Sequence, residues 1–313
     1  MKSSCPYYGM AELSFGAYEL KIRDILLATL VALLWGSAFV VIELGLKEIP
    51  PVFNASLRFL VASLPFAFFI GRNAIPWRWI IAIGAAFVCM FSLMYVGMKI
   101  GMPAGLTSLV LQAQVLFAVV LAAIVFRDIP SLTNSIGLLL GFSGIAIIAG
   151  TMTDSGTMTA LVLVVGAAFF YGLISVLMKL AGSVNMLSLI VWSSLIPPLP
   201  LFALSLALET GQLNAAINMS AMGLFSVFYT AIFGTVIPFA LWGRLLRAYS
   251  TQTVAPFALL VPILGMLLAS LVLGESFGET RLYAAALILF GLALIISGKR
   301  IFNALRMLLP RTQ

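Results

Sequence analysis

LAAIVFRDIPSLTNSIGLLLGFSGIAII, residues 121–148, and LASLVLGESFGETRLYAAALILFGLALI, residues 268–295, decide the fold when they are laid side by side. The second is the first displaced by 147 residues. Leu121, Ala122 and Val125 meet Leu268, Ala269 and Val272. Thr133 meets Thr280, Leu140 meets Leu287, Gly144 meets Gly291, Ala146 meets Ala293 and Ile148 meets Ile295. Apolar runs share leucine and alanine by chance, so the weight falls on one position. Asp128 meets Glu275, an acid in the turn between two long apolar runs. A chain that sets the same acidic turn between two such runs twice is read as duplicated.

The composition says what kind of chain is duplicated. Of 313 residues, 63% are hydrophobic and 9% charged, and the mean hydropathy is +1.17. Ordinary soluble domains carry about 25% charged residues, and a soluble fold of this length cannot hide so much apolar surface. The class is an all-α integral membrane protein. A barrel would need alternating strands of ~10 residues, whereas these runs are continuous and rich in Leu, Ala and Phe. The net charge of +7 does not indicate nucleic acid, because the basic residues are scattered over short loops and form no patch. Cys5 and Cys89 have no pairing or ligand spacing and histidine is absent, so neither a metal nor a cofactor is expected.

A transmembrane helix needs ~20 apolar residues. Ten runs qualify, at about 24–44, 51–70, 77–97, 102–126, 131–150, 157–179, 186–208, 219–243, 251–273 and 279–298. With the N-terminus inside, thirteen of the seventeen Lys and Arg fall in inner segments. Only Lys47, Lys99 and Arg281 fall outside, and Arg58 lies within a span. This positive-inside bias places both termini in the cytoplasm. Trp77 and Trp79 beside Arg78, and Trp242 beside Arg244, fit an inner interfacial belt. Residues 1–22 lack the apolar core of a signal peptide. They read either as a cytoplasmic arm, expected to be disordered, or as an extension upstream of the native start. Residues 23–150 and 151–299 are the two repeats, and 300–313 a cytoplasmic tail. Each repeat holds five spans, and an odd number inverts the second copy. Inverted repeats are a mark of secondary transporters.

Five stretches carry a family resemblance: WGSAFVVIELGL (35–46), LRF (57–59), GMPAGLTSLVLQAQ (101–114), VWSSLIPPLP (191–200) and LWGRLLRAYSTQTVAPFALLVPILG (241–265). They resemble the drug/metabolite transporter superfamily, specifically its EamA-type exporters, and among these the proteobacterial exporters of cysteine and O-acetylserine. The resemblance runs from about Asp24 to Lys299. Generic members carry a proline where Val115 stands, while Pro262 keeps it in the second repeat. The resemblance implies a multi-pass exporter of small amino-acid metabolites in the bacterial inner membrane. It also implies a central cavity lined by the first, third, fourth, sixth, eighth and ninth spans, with the fifth and tenth peripheral.

Arg58 lies about seven residues into the second span, ~10 Å deep at 1.5 Å per residue. A charge buried in a span marks a functional site by default. It either holds a substrate carboxylate bidentately or is a structural cation bonded to a neighbouring helix. Family members with unlike substrates carry Arg here, which favours the structural role. Ser108 and Gln112 form one polar stripe of the fourth span, and Thr107 and Gln114 another. Residues two apart on a regular helix point ~200° away from each other, so Gln112 and Gln114 are not expected to share a surface, and Gln112 is expected to face the cavity. Trp35, Tyr95, Tyr171 and Trp192 lie inside spans and away from the belts. They are candidate substrate contacts, although aromatics in a bundle are usually core. Gly137, Gly141 and Gly144 have the small-xxx-small spacing of close helix packing. Pro197, Pro198, Pro200, Pro238, Pro256 and Pro262 free backbone carbonyls inside the membrane, as hinges or as static kinks.

No Asp, Glu or His falls near the centre of any span, so direct proton coupling has no relay there. There is no GxxxxGK[ST] loop for ATP and no acidic cluster for membrane-bound transferase chemistry, so no catalytic residues are assigned. The expectation is an exporter working by alternating access down the solute's own gradient. A zwitterionic amino acid would be held by Ser108, Gln112, Trp35 and Tyr171. The competing readings are a same-fold exporter of another solute, such as an aromatic amino acid or a drug-like compound, and a membrane-bound enzyme. The expected partners are the small-molecule substrate and the bilayer, with a homodimer left open.

Overall fold

The computed structural model describes residues 20–308 apart from Asn73 and Asp128. The arm expected at 1–22 therefore lies almost wholly outside the described residues. Ten apolar helices follow in order: α1 (Ile22–Gly45), α2 (Pro51–Ala67), α3 (Trp77–Lys99), α4 (Ala104–Phe126), α5 (Leu132–Gly150), α6 (Ser155–Ala181), α7 (Met186–Leu208), α8 (Ala221–Ala248), α9 (Ala255–Leu273) and α10 (Glu279–Leu308). Nine are long and apolar enough to cross a membrane, and α2, at 17 residues, is shorter. The helix ends at Ala67, and the expected run to residue 70 continues as a turn in which the Ile70 N–H bonds Phe66 O at 2.8 Å. No strand occurs among the described residues.

The helix starts are written in the sequence. Ser131, Asp154, Asn185 and Ser220 each accept a backbone N–H from the first turn of α5, α6, α7 and α8, the usual work of these side chains at an N-cap. Two other starts are capped from across the molecule. Glu209, past the end of α7, accepts from the Val52 and Phe53 N–H groups at 2.8 and 3.1 Å. Glu275, past the end of α9, accepts from Ala104 and Gly105 at 2.7 and 3.0 Å. In the reverse direction, Glu48 accepts from the Ser220 hydroxyl at 2.7 Å. A carboxylate at a helix N-terminus meets both unsatisfied donors and the positive end of the helix dipole.

The 147-residue displacement reappears in the packing. A Cβ on Gly36 of α1 would lie 3.0 Å from Val261 O, 3.2 Å from Leu264 Cβ and 3.0 Å from Gly265 N, all on α9. A Cβ on Gly172 of α6 would lie 2.8 Å from Gln114 O, 2.9 Å from Phe117 Cβ and 2.9 Å from Ala118 N, all on α4. Adding 147 to 114, 117 and 118 gives 261, 264 and 265. So α1 presses its glycine on α9, and α6 presses its own on the matching residues of α4. Outside this core, α5 and α10 pair through glycines. A Cβ on Gly137 would meet Gly291 O at 2.6 Å, and one on Gly144 would meet Ala284 O at 2.8 Å, so the small-residue face serves packing. The far sides of these helices expose Leu139, Phe142 and Phe290, as a lipid-facing surface would.

Four helices are irregular. α4 breaks between Ala104–Val110 and Ala113–Phe126, where the Gln112, Gln114 and Val115 amides bond three residues back. α7 is interrupted between Ser193 and Pro198, as its prolines predict. α8 contains a π-turn at Ile232–Val236, and α9 begins as a 3-10 turn at Ala255–Leu259.

Candidate functional site

The irregular segments of α4, α8 and α9 surround one cavity, of about 820 Å³ including its mouth. Its wall comes from α1, α2, α3, α4, α6, α8 and α9. The resemblance anticipated all of these except α2, which brings Arg58 and Phe59. Most of the wall is aromatic or aliphatic: Trp35, Phe39, Phe59, Phe87, Met90 and Phe91 among others. The polar part is small and consists of Arg58, Gln112, Gln114, Tyr171 and Thr235.

Two prolines position the main polar groups. A regular helix would give the Gly234 carbonyl the N–H of residue 238 and the Ala258 carbonyl the N–H of residue 262. Both of those residues are proline and have no N–H to give. Side chains from the other half bond both carbonyls, and Ala258 O also takes the Leu260 N–H of the 3-10 turn. Arg58 Nη2 donates to Gly234 O at 3.4 Å, and Gln112 Nε2 donates to Ala258 O at 3.1 Å. Arg58 also donates from Nε and Nη2 to Thr235 Oγ1, at 3.2 and 2.9 Å, and from Nη1 to the Tyr95 hydroxyl at 3.3 Å. Its guanidinium carbon stands 4.6 Å from the centroid of Phe91, within cation–π range. Arg58 is thus held by neutral groups on α3 and α8 and also lines the cavity, so the structural and site placements coincide.

Gln112 and Gln114 are not on opposite faces. Gln114 Nε2 donates to Gln112 Oε1 at 3.3 Å, and both line the cavity. The regular-helix angle fails because the chain tightens to three-residue bonds through this segment, which turns each residue by about 120° rather than 100°. Trp35 and Tyr171 also line the cavity. Trp35 packs edge-on against Phe239 and Trp242.

Three expected contacts sit elsewhere. Tyr95 is fully buried behind Arg58. Ser108 donates to Gly105 O at 2.7 Å and fills the space beside Gly265, whose Cβ would come within 2.5 Å of its oxygen. A buried hydroxyl bonded inside its own helix is packing. Trp192 donates to Ile70 O at 2.8 Å and meets Trp77 edge-on at 6.1 Å, so it belongs with the tryptophan belt. Sequence reading passed over Thr235 and Phe91. Pro238, three residues after Thr235, was the available signal for an open turn there.

The family model described as the EamA-like transporter family matches twice, over residues 22–150 and 158–297. A protein of Salmonella typhimurium LT2 called "Probable amino-acid metabolite efflux pump" is 34% identical over 91% of this chain and 98% of its own length. A protein of the same description from Escherichia coli K12 is 33% identical over 89% of this chain and 96% of its own. An uncharacterized inner membrane transporter of Escherichia coli K12 is 25% identical over 90% and 93%. A crystal structure covering 88% of this chain, and covered to 96% itself, superposes with a TM-score of 0.63 at 16% identity, a likeness of fold. A bundle of apolar helices around a cavity, matched twice by one transporter model, is a multi-pass membrane transporter and not an enzyme, and the chain belongs to the EamA-like transporter family.

Proposed function

We propose that the protein exports small amino-acid metabolites across a bacterial inner membrane by alternating access, with cysteine and O-acetylserine as the specific candidates. The observation that carries this reading is the cavity itself. It is enclosed by helices of both halves, and two of its polar groups pair across them: Arg58 with Gly234 and Thr235, and Gln112 with Ala258. Rocking one half against the other would make and break those pairs. The membrane arrangement proposed is ten crossings in two inverted five-helix halves, with both termini cytoplasmic. The double family match and the Gly36 and Gly172 contacts support the duplication, and the distribution of Lys and Arg supports the orientation. The relatives named as amino-acid metabolite efflux pumps support the substrate class.

The test is overexpression in cells, with amino acids quantified in the medium and Gln112→Leu as the comparison. Cysteine, O-acetylserine or another amino-acid metabolite should rise with wild type and rise less with the variant. An unchanged medium would sink the reading.

A further inference from the structure

The cavity holds one full positive charge and no matching negative one. Arg58 is 5% exposed, and its partners, Thr235, Gly234, Tyr95 and Phe91, are all neutral. Of five guanidinium N–H groups, the bonds to Thr235, Gly234 and Tyr95 use four. One Nη1 hydrogen is left without an acceptor among the described residues. Five of the described carboxylates are occupied elsewhere. Asp24 accepts from Tyr249, Glu48 from Ser220, Asp154 from the first turn of α6, Glu209 from α2 and Glu275 from α4. Glu43 and Glu279 lie in the last turn of α1 and the first turn of α10, and neither lines the cavity.

A buried cation in a low-dielectric site strongly favours an anionic ligand. The remaining Nη1 hydrogen can give a carboxylate one charge-assisted hydrogen bond. The opposite requirement is poorly met. An ammonium brings three N–H donors, whereas Gln112 Oε1 already accepts from Gln114 Nε2, which leaves Gln114 Oε1 and the Tyr171 hydroxyl as the uncharged side-chain acceptors of the wall. The remaining wall is mostly aromatic and aliphatic, with Phe, Met and Trp prominent, which suits an apolar body.

Resting on the reading of the chain as an exporter of amino-acid metabolites, we propose that its preferred cargo is a singly charged carboxylate with an apolar body, and that export is driven by the membrane potential. The cargo class is amino-acid metabolites whose ammonium has been lost or masked, such as 2-oxo acids or N-acyl derivatives of branched or aromatic residues. Zwitterions such as cysteine and O-acetylserine are also cargo, carried more slowly than the monoanions. The carboxylate sits on Arg58 and the side chain among Phe59, Phe87 and Phe91. Moving one negative charge outward from a negative interior is favoured by about 50-fold per 100 mV. An exporter of this cargo needs no titratable relay at its centre, because the charge that couples it to the potential travels on the substrate.

The experiment uses wild-type proteoliposomes, with the potential set by potassium gradients and valinomycin and with protein-free liposomes as background. The probes are labelled 4-methyl-2-oxopentanoate, N-acetyl-leucine, leucine and cysteine. The two monoanions should move at least tenfold faster than leucine or cysteine. Their flux should reverse with the sign of the potential, and leucine flux should not. Arg58→Gln should reduce monoanion flux at least tenfold, and Arg58→Lys should restore part of it. Leucine or cysteine moving as fast as the monoanions, monoanion flux indifferent to the potential, or no flux of any probe would each overturn the proposal. Because the wild-type potential dependence stands alone, a variant that fails to fold leaves the test intact. If overexpressing cells still release amino acids when this test fails, the proposed function survives and only the cargo assignment falls.

Discussion

Glu275 Oε2 accepts from the Gly105 backbone N–H at 3.0 Å, while Oε1 takes Ala104 at 2.7 Å. A loop at the end of α9 thereby caps the start of α4. Losing such a cap costs about 0.5–2 kcal/mol. Glu275→Ala should lower the thermal midpoint in detergent, and Glu275→Gln, which keeps one acceptor, should lower it less. Equal midpoints for wild type and Glu275→Ala would show that the cap carries no stability.

The proline-freed carbonyls can be closed again. In Pro262→Ala the new amide reclaims Ala258 O, and Gln112 Nε2 loses its acceptor. In Pro238→Ala the new amide competes with Arg58 for Gly234 O. Both variants should fold at least as stably as wild type, since each gains a helical bond, yet export should fall several-fold. Export at the wild-type level in both would separate these carbonyls from transport.

Gly36 and Gly172 should be equally intolerant. Inserting atoms into a tight contact costs about 1–3 kcal/mol, and here the nearest opposing atoms are backbone. Gly36→Val and Gly172→Val should both reduce the folded protein recovered from membranes. Gly150→Ala, where a Cβ meets nothing within 4 Å, should not. A large difference between the two glycine variants would count against their equivalence.

Tyr249, in the turn between α8 and α9, donates to Asp24 Oδ2 at 2.6 Å. That bond to a carboxylate raises the tyrosine hydroxyl above its ordinary 10.0, with desolvation adding to it. A group whose folded value is raised gives stability that is full below its unfolded value. That stability is lost as pH rises through the folded value. Wild type should therefore be more stable than Tyr249→Phe at pH 7, and the gap should close above about pH 10. A gap unchanged up to pH 11 would mean that the bond contributes nothing.

The long apolar runs made the helices legible, because a membrane leaves the backbone few other ways to satisfy its own polar groups. Trp35, Arg58 and Tyr171 could be picked out as polar or aromatic interruptions in such runs. Ser108 and Trp192 looked the same in sequence and proved to be packing and belt residues, since composition cannot tell which face of a helix a neighbour will cover. The Gln112–Gln114 pair is not legible from periodicity, which assumes a uniform helix, whereas α4 breaks at Leu111 and Gln112. The partners of Arg58 were hidden for a related reason. Thr235 lies within the π-turn, which hydrophobic periodicity does not announce.

The crossed packing of Gly36 and Gly172 has a consequence in time. Chains are made from the N-terminus, so α1 must wait for more than two hundred further residues before Val261 and Gly265 exist to receive it. The groove of α4 at Gln114 and Ala118 is likewise open until α6 is made. The first half therefore enters the bilayer with two sticky seams uncovered, and each is sealed only by the second half. Severing the gene between α5 and α6 should yield two pieces that are each prone to degradation when made alone and are protected when made together.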